Sequence, residues 1–132
     1  MPHNKIFIDT SYMVGLLVEE DQWHKRANEL IPLIDKKEKI ISLSIVNESI
    51  TLINKKRGVE DSKQAYRIIL DNFTIIDEDM NLYTESMNTL IKYHNLSLTD
   101  STIVELMKRN NIIEIVSFDE DFDKVDGIVR IH

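Results

Sequence analysis

The chain has no cysteine among its 132 residues, which excludes disulfides, thiolate nucleophiles and thiolate zinc sites together. That absence fits a reducing compartment, and the cytoplasm is the expected location. Glycine is nearly as scarce. Gly15, Gly58 and Gly127 are the whole set, too few and too scattered for a phosphate-cradling P-loop or a dinucleotide fingerprint. Trp23 is the one tryptophan, and the tyrosines at 12, 66, 83 and 93 lack the spacing of a base-stacking platform, so core or rim packing is their expected use. No apolar run approaches the ~20 residues of a spanning helix, and the start MPHNKIFIDT holds too short an apolar stretch for a signal peptide. A soluble protein with no membrane contact is expected.

Positive charge is also in deficit. Sixteen Lys and Arg face 23 Asp and Glu, a net charge of −7, which opposes broad electrostatic capture of nucleic acid. Any nucleic-acid contact must therefore be local. The basic residues cluster in His24-Lys25-Arg26, in Lys36-Lys37 with Lys39, and in Lys55-Lys56-Arg57, although each run taken alone reads as a solvated helix end. His3, His24, His94 and His132 lack the helical pairing of a zinc protease and any serine partner, and read as surface residues.

What is present in quantity is an alternation of short β-rich runs with helical patterns. Strands are expected at 5–8, 40–43, 73–76, 112–116 and 128–131, separated by helices, which reads as a parallel α/β sheet covered on both faces. The helical patterns fall at 11–17, 22–34, 45–56, 61–70, 82–93 and 99–109. Pro32 should kink or shift the second, and Arg57-Gly58 should close the third and turn it into a hairpin with the fourth. In the fifth, Met87, Leu90 and Ile91 are expected to face inward.

Four acids stand where elements begin or end: Asp9 after IFI, Glu48 in SIVNES, Asp100 in LSLTD and Asp119 in IVSFDED. Converged by the fold, they would form a pocket of oxygen ligands suited to a hard divalent cation. Each also has an ordinary structural use. Asp9 suits an N-cap, Glu48 a first-turn acid, and Asp100 a capping box with Ser97; Ser117 and Glu120 match a second capping box beside Asp119. What favours a site is that Asp9 and Asp119 both follow expected strands, and ligands of open parallel sheets bind beyond the carboxyl ends of the strands.

The segments IFIDTSYMVGLL, SIVNESI, LSLTDSTIVELMKRNNI and IVSFDEDFDKV, in that order, resemble the PIN domain family over essentially the whole chain. The resemblance implies a three-layer α/β/α sandwich with a five-stranded parallel sheet, residues 1–132 forming a single domain, and a ribonuclease activity that uses Mg²⁺ or Mn²⁺. Small members are commonly the toxin of a toxin–antitoxin pair of the VapC kind. Asp9, Glu48 and Asp100 fall on the family's first three acids and Asp119 on the fourth, with Asp121 a near competitor. On that reading Asp9 and Asp100 are the principal metal ligands. Asp119 is a further ligand, directly or through water, and Glu48 is a ligand or a water-orienting base. Thr10 would orient the first acid, and Ser97 or Thr99 would support the third. Implied partners are RNA, an antitoxin segment placing an Arg among the carboxylates, and a second copy in a symmetric dimer, for which exposed apolar residues of the 82–93 helix could serve. The pI of about 5.0 departs from what a nuclease usually shows. Two alternatives stay open, an RNA-processing nuclease outside any toxin pair and a catalytically weak binding or scaffold module. An aspartyl-phosphatase would want a second Asp where Ser11 stands, and a receiver domain would want a Lys after its last strand, so both fit less well.

Overall fold

A computed structural model describes residues 4–132; His3 lies outside them. Five parallel strands form one sheet in the order β3-β2-β1-β4-β5. They are β1 (Lys5–Ile8), β2 (Glu38–Ser42), β3 (Thr74–Ile76), β4 (Glu114–Val116) and β5 (Val129–Ile131). The helices are α1 (Thr10–Leu17), α2 (His24–Ile34), α3 (Leu43–Arg57), α4 (Val59–Asn72), α5 (Met80–Lys92) and α6 (Leu98–Arg109). A 3₁₀ turn, Glu120–Lys124, joins β4 to β5.

The expected parallel sheet is present because its central strands are apolar on both faces. Ile6, Phe7 and Ile8 of β1 and Ile115 and Val116 of β4 are fully buried. From β1 the chain steps outward through β2 to β3, then crosses back over β1 through α5 and α6 to begin β4. Right-handed crossovers in opposite directions lay the two groups of helices on opposite faces. Contacts agree: α1 packs on α2 and α3, α3 on α4, and α5 on α6. The strand order therefore reverses between β1 and β4, where Ile8 pairs with Val116. A crevice opens past the carboxyl ends of strands flanking such a reversal.

Helix boundaries follow local chemistry. Gly58, at φ 91°, stops α3 and starts α4, a backbone conformation that favours glycine, so the expected hairpin forms there. Pro32 lies inside α2, which ends two residues later at Ile34, the lost amide costing only the final turn. Helix α5 corrects the sequence reading. Met87 and Ile91 point outward, 44% and 65% exposed, while Leu82, Ser86 and Thr89 are buried. Ser86 can be buried because its hydroxyl donates to the Leu82 carbonyl at 2.6 Å within the same helix. Among the described residues, no helix is long and apolar enough to cross a membrane.

Candidate active site

Asp9 follows β1 at the point where the strand order reverses, and it is buried, with 6% of its surface exposed. It stands at the N-cap position of α1, yet its side chain makes no capping bond. Instead Oδ2 accepts from the hydroxyls of Ser11 at 2.9 Å and Ser117 at 2.7 Å. Ser117 is supplied by the end of β4, one residue beyond the Ile8–Val116 pair. Its Oγ also accepts from the Asp119 amide at 3.0 Å, and Ser11 Oγ accepts from the Phe118 amide at 2.9 Å. Two serines thus tie the ends of β1 and β4 together around one carboxylate.

Asp119 caps the 3₁₀ turn, its Oδ1 accepting from the Asp121 amide at 2.9 Å. The capping-box reading of Ser117 with Glu120 is thereby replaced, since Ser117 is spent on Asp9 and Asp119. Asp100 enters from α6, where the expected capping box with Ser97 forms: the Asp100 amide donates to Ser97 Oγ at 3.0 Å and the Ser97 amide to Asp100 Oδ2 at 3.5 Å. Ser97 supports this acid; the Thr99 carbonyl serves Thr102 within the helix. Glu48 is not a first-turn acid, because α3 begins at Leu43 and places it well inside the helix. The Thr10 hydroxyl donates to Glu48 Oε1 at 3.0 Å. The Thr10 hydroxyl therefore orients Glu48, while the side-chain partners of Asp9 are Ser11 and Ser117.

The electrostatics place these acids in one neighbourhood. Burial pushes the Asp9 carboxyl up, against hydrogen bonds from Ser117, Ser11 and the Thr10 amide, and the Asp119 charge adds to the rise. Asp100 is pushed up to about 6, first by burial and then by the charges of Asp9 and Asp119. Glu48 is raised by partial burial of its carboxyl end and by Asp9 and Glu78, with Thr10 pulling the other way. Asp121 contributes to none of these shifts, and its carbonyl accepts from Asn95 at 3.1 Å. Asp9 thus shares repulsion with Asp119, Asp100 and Glu48.

Four contributors carry no clear sequence signal. Ser11 and Ser117 hold Asp9. Glu78, two residues past β3, accepts from the Ser44 hydroxyl at 2.7 Å, the Ser44 amide at 3.2 Å and the Tyr83 hydroxyl at 2.9 Å, fixing the start of the helix that carries Glu48. The strand-end rule that selected Asp9 also covers Glu78. Arg130, on β5, has a side chain only 8% exposed; it grips Asp123 through Nε at 2.8 Å and Nη2 at 2.9 Å and donates from Nη1 to the Ser117 carbonyl at 3.1 Å. This bidentate clamp pins the acid-bearing turn against the strand end. Arg130→Met should lower the melting temperature by several degrees, whereas a change at the exposed partner, Asp123→Asn, should cost less. Thermal unfolding monitored by circular dichroism checks the order of the two.

The donor set suits a hard cation: oxygen atoms only, with mutual repulsion that no nearby Lys or Arg cancels on Asp9, Glu48 or Asp100. Among the described residues, no three His, Asp or Glu side chains are gathered as a complete metal cage. An ion of the magnesium type, which binds through one or two carboxylates and retains several waters, fits such an arrangement.

The sequence model of the PIN domain matches residues 6–128. The chain belongs to the PIN domain family. It is similar to ribonuclease VapC6 of Methanocaldococcus jannaschii, 27% identical over 153 aligned positions that cover 97% of each chain. Its fold matches VapC20 of Mycobacterium tuberculosis, a Sarcin-Ricin loop cleaving toxin, with TM-score 0.80 and 24% identity, over 90% of this chain and 93% of that one. It also matches a chain of a toxin-antitoxin complex from Klebsiella pneumoniae, with TM-score 0.75 and 21% identity, over 95% of this chain and 96% of that one. The five-stranded parallel sheet of the PIN domain is thus shared along nearly the full length.

Proposed function

We propose that this protein is a metal-dependent endoribonuclease and the toxin component of a VapBC-like toxin–antitoxin pair, with residues 1–132 acting as one PIN domain in the cytoplasm. The observation that carries the reading is Asp9, a buried carboxylate at the reversal of the sheet that feels the charge of Asp119 and in turn raises Asp100 and Glu48. A fold has little reason to collect such charges unless a cation uses them. Family membership and the similarity to a named ribonuclease support the same chemistry.

Asp9 and Asp100 would hold the ion, with Asp119 beside them and Glu48 at the edge of the pocket. Bound there, Mg²⁺ or Mn²⁺ would supply charge relief and a more acidic water for phosphodiester hydrolysis. The chain's own part is orientation. Ser11 and Ser117 fix one face of the Asp9 carboxylate, and Thr10 fixes Glu48, which would accept a proton from an attacking water. Partners that fit are an RNA substrate, an antitoxin segment offering an Arg to the carboxylates, and a second copy of the chain. The outward Met80, Met87 and Ile91 on α5 supply an apolar stripe for that copy.

Incubating a mixed panel of structured RNAs with the protein in Mg²⁺, in Mn²⁺ and in excess EDTA tests the reading. Cutting that requires metal supports it, and cutting that persists unchanged in EDTA contradicts it. Ser117→Ala should lower the metal-dependent rate by about 10–100-fold, the scale for losing a group that orients a ligand. A rate within twofold of wild type would show that Ser117 does not position Asp9.

A further inference from the structure

We propose that Trp23, stacked on Phe118, is the platform on which an unpaired RNA base rests beside the cleavage site, with Lys25 and Arg26 receiving the adjoining phosphates. The inference rests on the ribonuclease reading and adds to it the place where substrate is gripped.

Phe118 lies between Ser117, which holds Asp9, and Asp119, and its amide donates to the same Ser11 hydroxyl that donates to Asp9. The Trp23 indole lies nearly parallel to the Phe118 ring, 11° apart with centroids at 4.8 Å, and Phe118 is backed by Tyr12 at 6.0 Å. Trp23 remains 39% exposed. An aromatic surface at the lip of an acid pocket is therefore buttressed from behind and open to solvent. Its position is fixed twice over. A Cβ on Gly15 would lie 3.3 Å from Trp23 Cβ, so glycine lets the indole settle there. His24 donates from Nδ1 to the Gly15 carbonyl at 2.8 Å and accepts at Nε2 from Asn28 at 3.2 Å, fastening the start of α2 to α1.

Of the three basic runs, the one beside this platform has no Lys or Arg paired with an Asp or Glu side chain among the described residues. Each of the others holds at least one such pair, and Lys36, Lys39 and Lys55 in them are likewise unpaired. Lys37 pairs with Glu114, Lys56 with Asp21, and Arg57 with Glu20 and Asp61. Lys25 makes no ion pair among the described residues, and Arg26 donates to a main-chain oxygen of His132 at 2.9 Å. An acidic protein that cleaves RNA needs a local source of attraction beside its carboxylates, and this run supplies it. Stacking on an aromatic ring tolerates any base, since every base has a π-face.

Because Trp23 is the only tryptophan, its fluorescence reports this position alone. The full chain carrying Asp9→Asn would be titrated in Mg²⁺ with single-stranded oligoadenylate and with an abasic ribose-phosphate chain of equal length. The oligoadenylate should quench the emission saturably, and the abasic chain should bind at least about tenfold more weakly, the effect expected from one lost stack. In the cleavage assay, Trp23→Ala should raise KM about tenfold with little change in kcat, and Trp23→Phe should restore most of it. Equal binding of the two chains with unchanged emission, by a protein whose wild type does cleave RNA, would overturn the platform while leaving the nuclease standing. Base-dependent quenching by a protein that cleaves nothing would keep the platform and sink the nuclease.

Discussion

Asp9→Asn should abolish metal-dependent RNA cleavage and, in the same molecule without metal, raise the melting temperature. The loss of activity follows from removing the carboxylate best placed to hold the cation, and more than about a hundredfold is expected, the scale for losing a group that stabilises charge at a reacting centre. The gain in stability follows from the same burial. Ionised Asp9 is 6% exposed, next to Asp119, and burial raises its pKa despite three hydrogen bonds. Asparagine keeps an oxygen for Ser11 and Ser117 and discards the charge, so the fold no longer bears it. A site that stabilises its protein when disarmed is one maintained for chemistry. Differential scanning calorimetry in EDTA checks the sign. A large fall in melting temperature would make Asp9 a structural keystone instead.

A second large effect is an inverted dependence of stability on pH in the metal-free protein. Asp9, Glu48 and Asp100 all have raised pKa values, Asp100 to about 6 from its ordinary 3.8. A carboxyl that takes up its proton more readily when folded penalises the fold above its folded pKa. The penalty is fully present at neutral pH, fades as pH falls through about 6, and is gone below the unfolded value. For Asp100 the interval from 3.8 to about 6 corresponds to about 3 kcal/mol at full weight, and about half that once partial exposure is allowed for. In EDTA the protein should therefore melt at a higher temperature at about pH 5 than at about pH 7.5. Saturating Mn²⁺ should reverse the order, because ligation needs the deprotonated forms and so stabilises more at the higher pH. Thermal shift at the two pH values, with and without Mn²⁺, reads both halves. A metal-free protein that is steadily less stable toward acid would show that the fold does not hold these carboxyls above their ordinary range.

The sheet and the position of Asp9 at its edge were legible in the sequence because both depend on local signals read in order. Apolar β-rich runs mark buried parallel strands, and an acid directly after such a run stands at the crevice end of the sheet. The detail of who holds whom was not legible. Thr10 and Ser11 are neighbours at the start of α1, and one residue of helix turns a side chain by about 100°. Thr10 meets Glu48 from α3 while Ser11 meets Asp9, a division that depends on where α3 packs. The first-turn place of Glu48 holds only if α3 starts at residue 45. Its true start at Leu43 is held by Glu78, 34 positions from Ser44 in sequence. In helix α5 the apolar spacing points Met87 and Ile91 inward, but small polar residues take that face. Ser86 satisfies its own hydroxyl and turns inward, leaving Met87 and Ile91 outside. Arg130 carried no sequence signal, since its role exists only once β5 lies beside β4 and presents the guanidinium to the Ser117 carbonyl and Asp123.

The most direct measurement is an anomalous difference map from a crystal soaked in Mn²⁺ at about pH 7.5, where the carboxylates are ionised. A peak among the carboxylates of Asp9, Asp100 and Asp119, absent from a matched Asp9→Asn crystal, is the expected result. Manganese bound only elsewhere, or at the same place with Asp9 replaced, would contradict a cation-holding site built around Asp9.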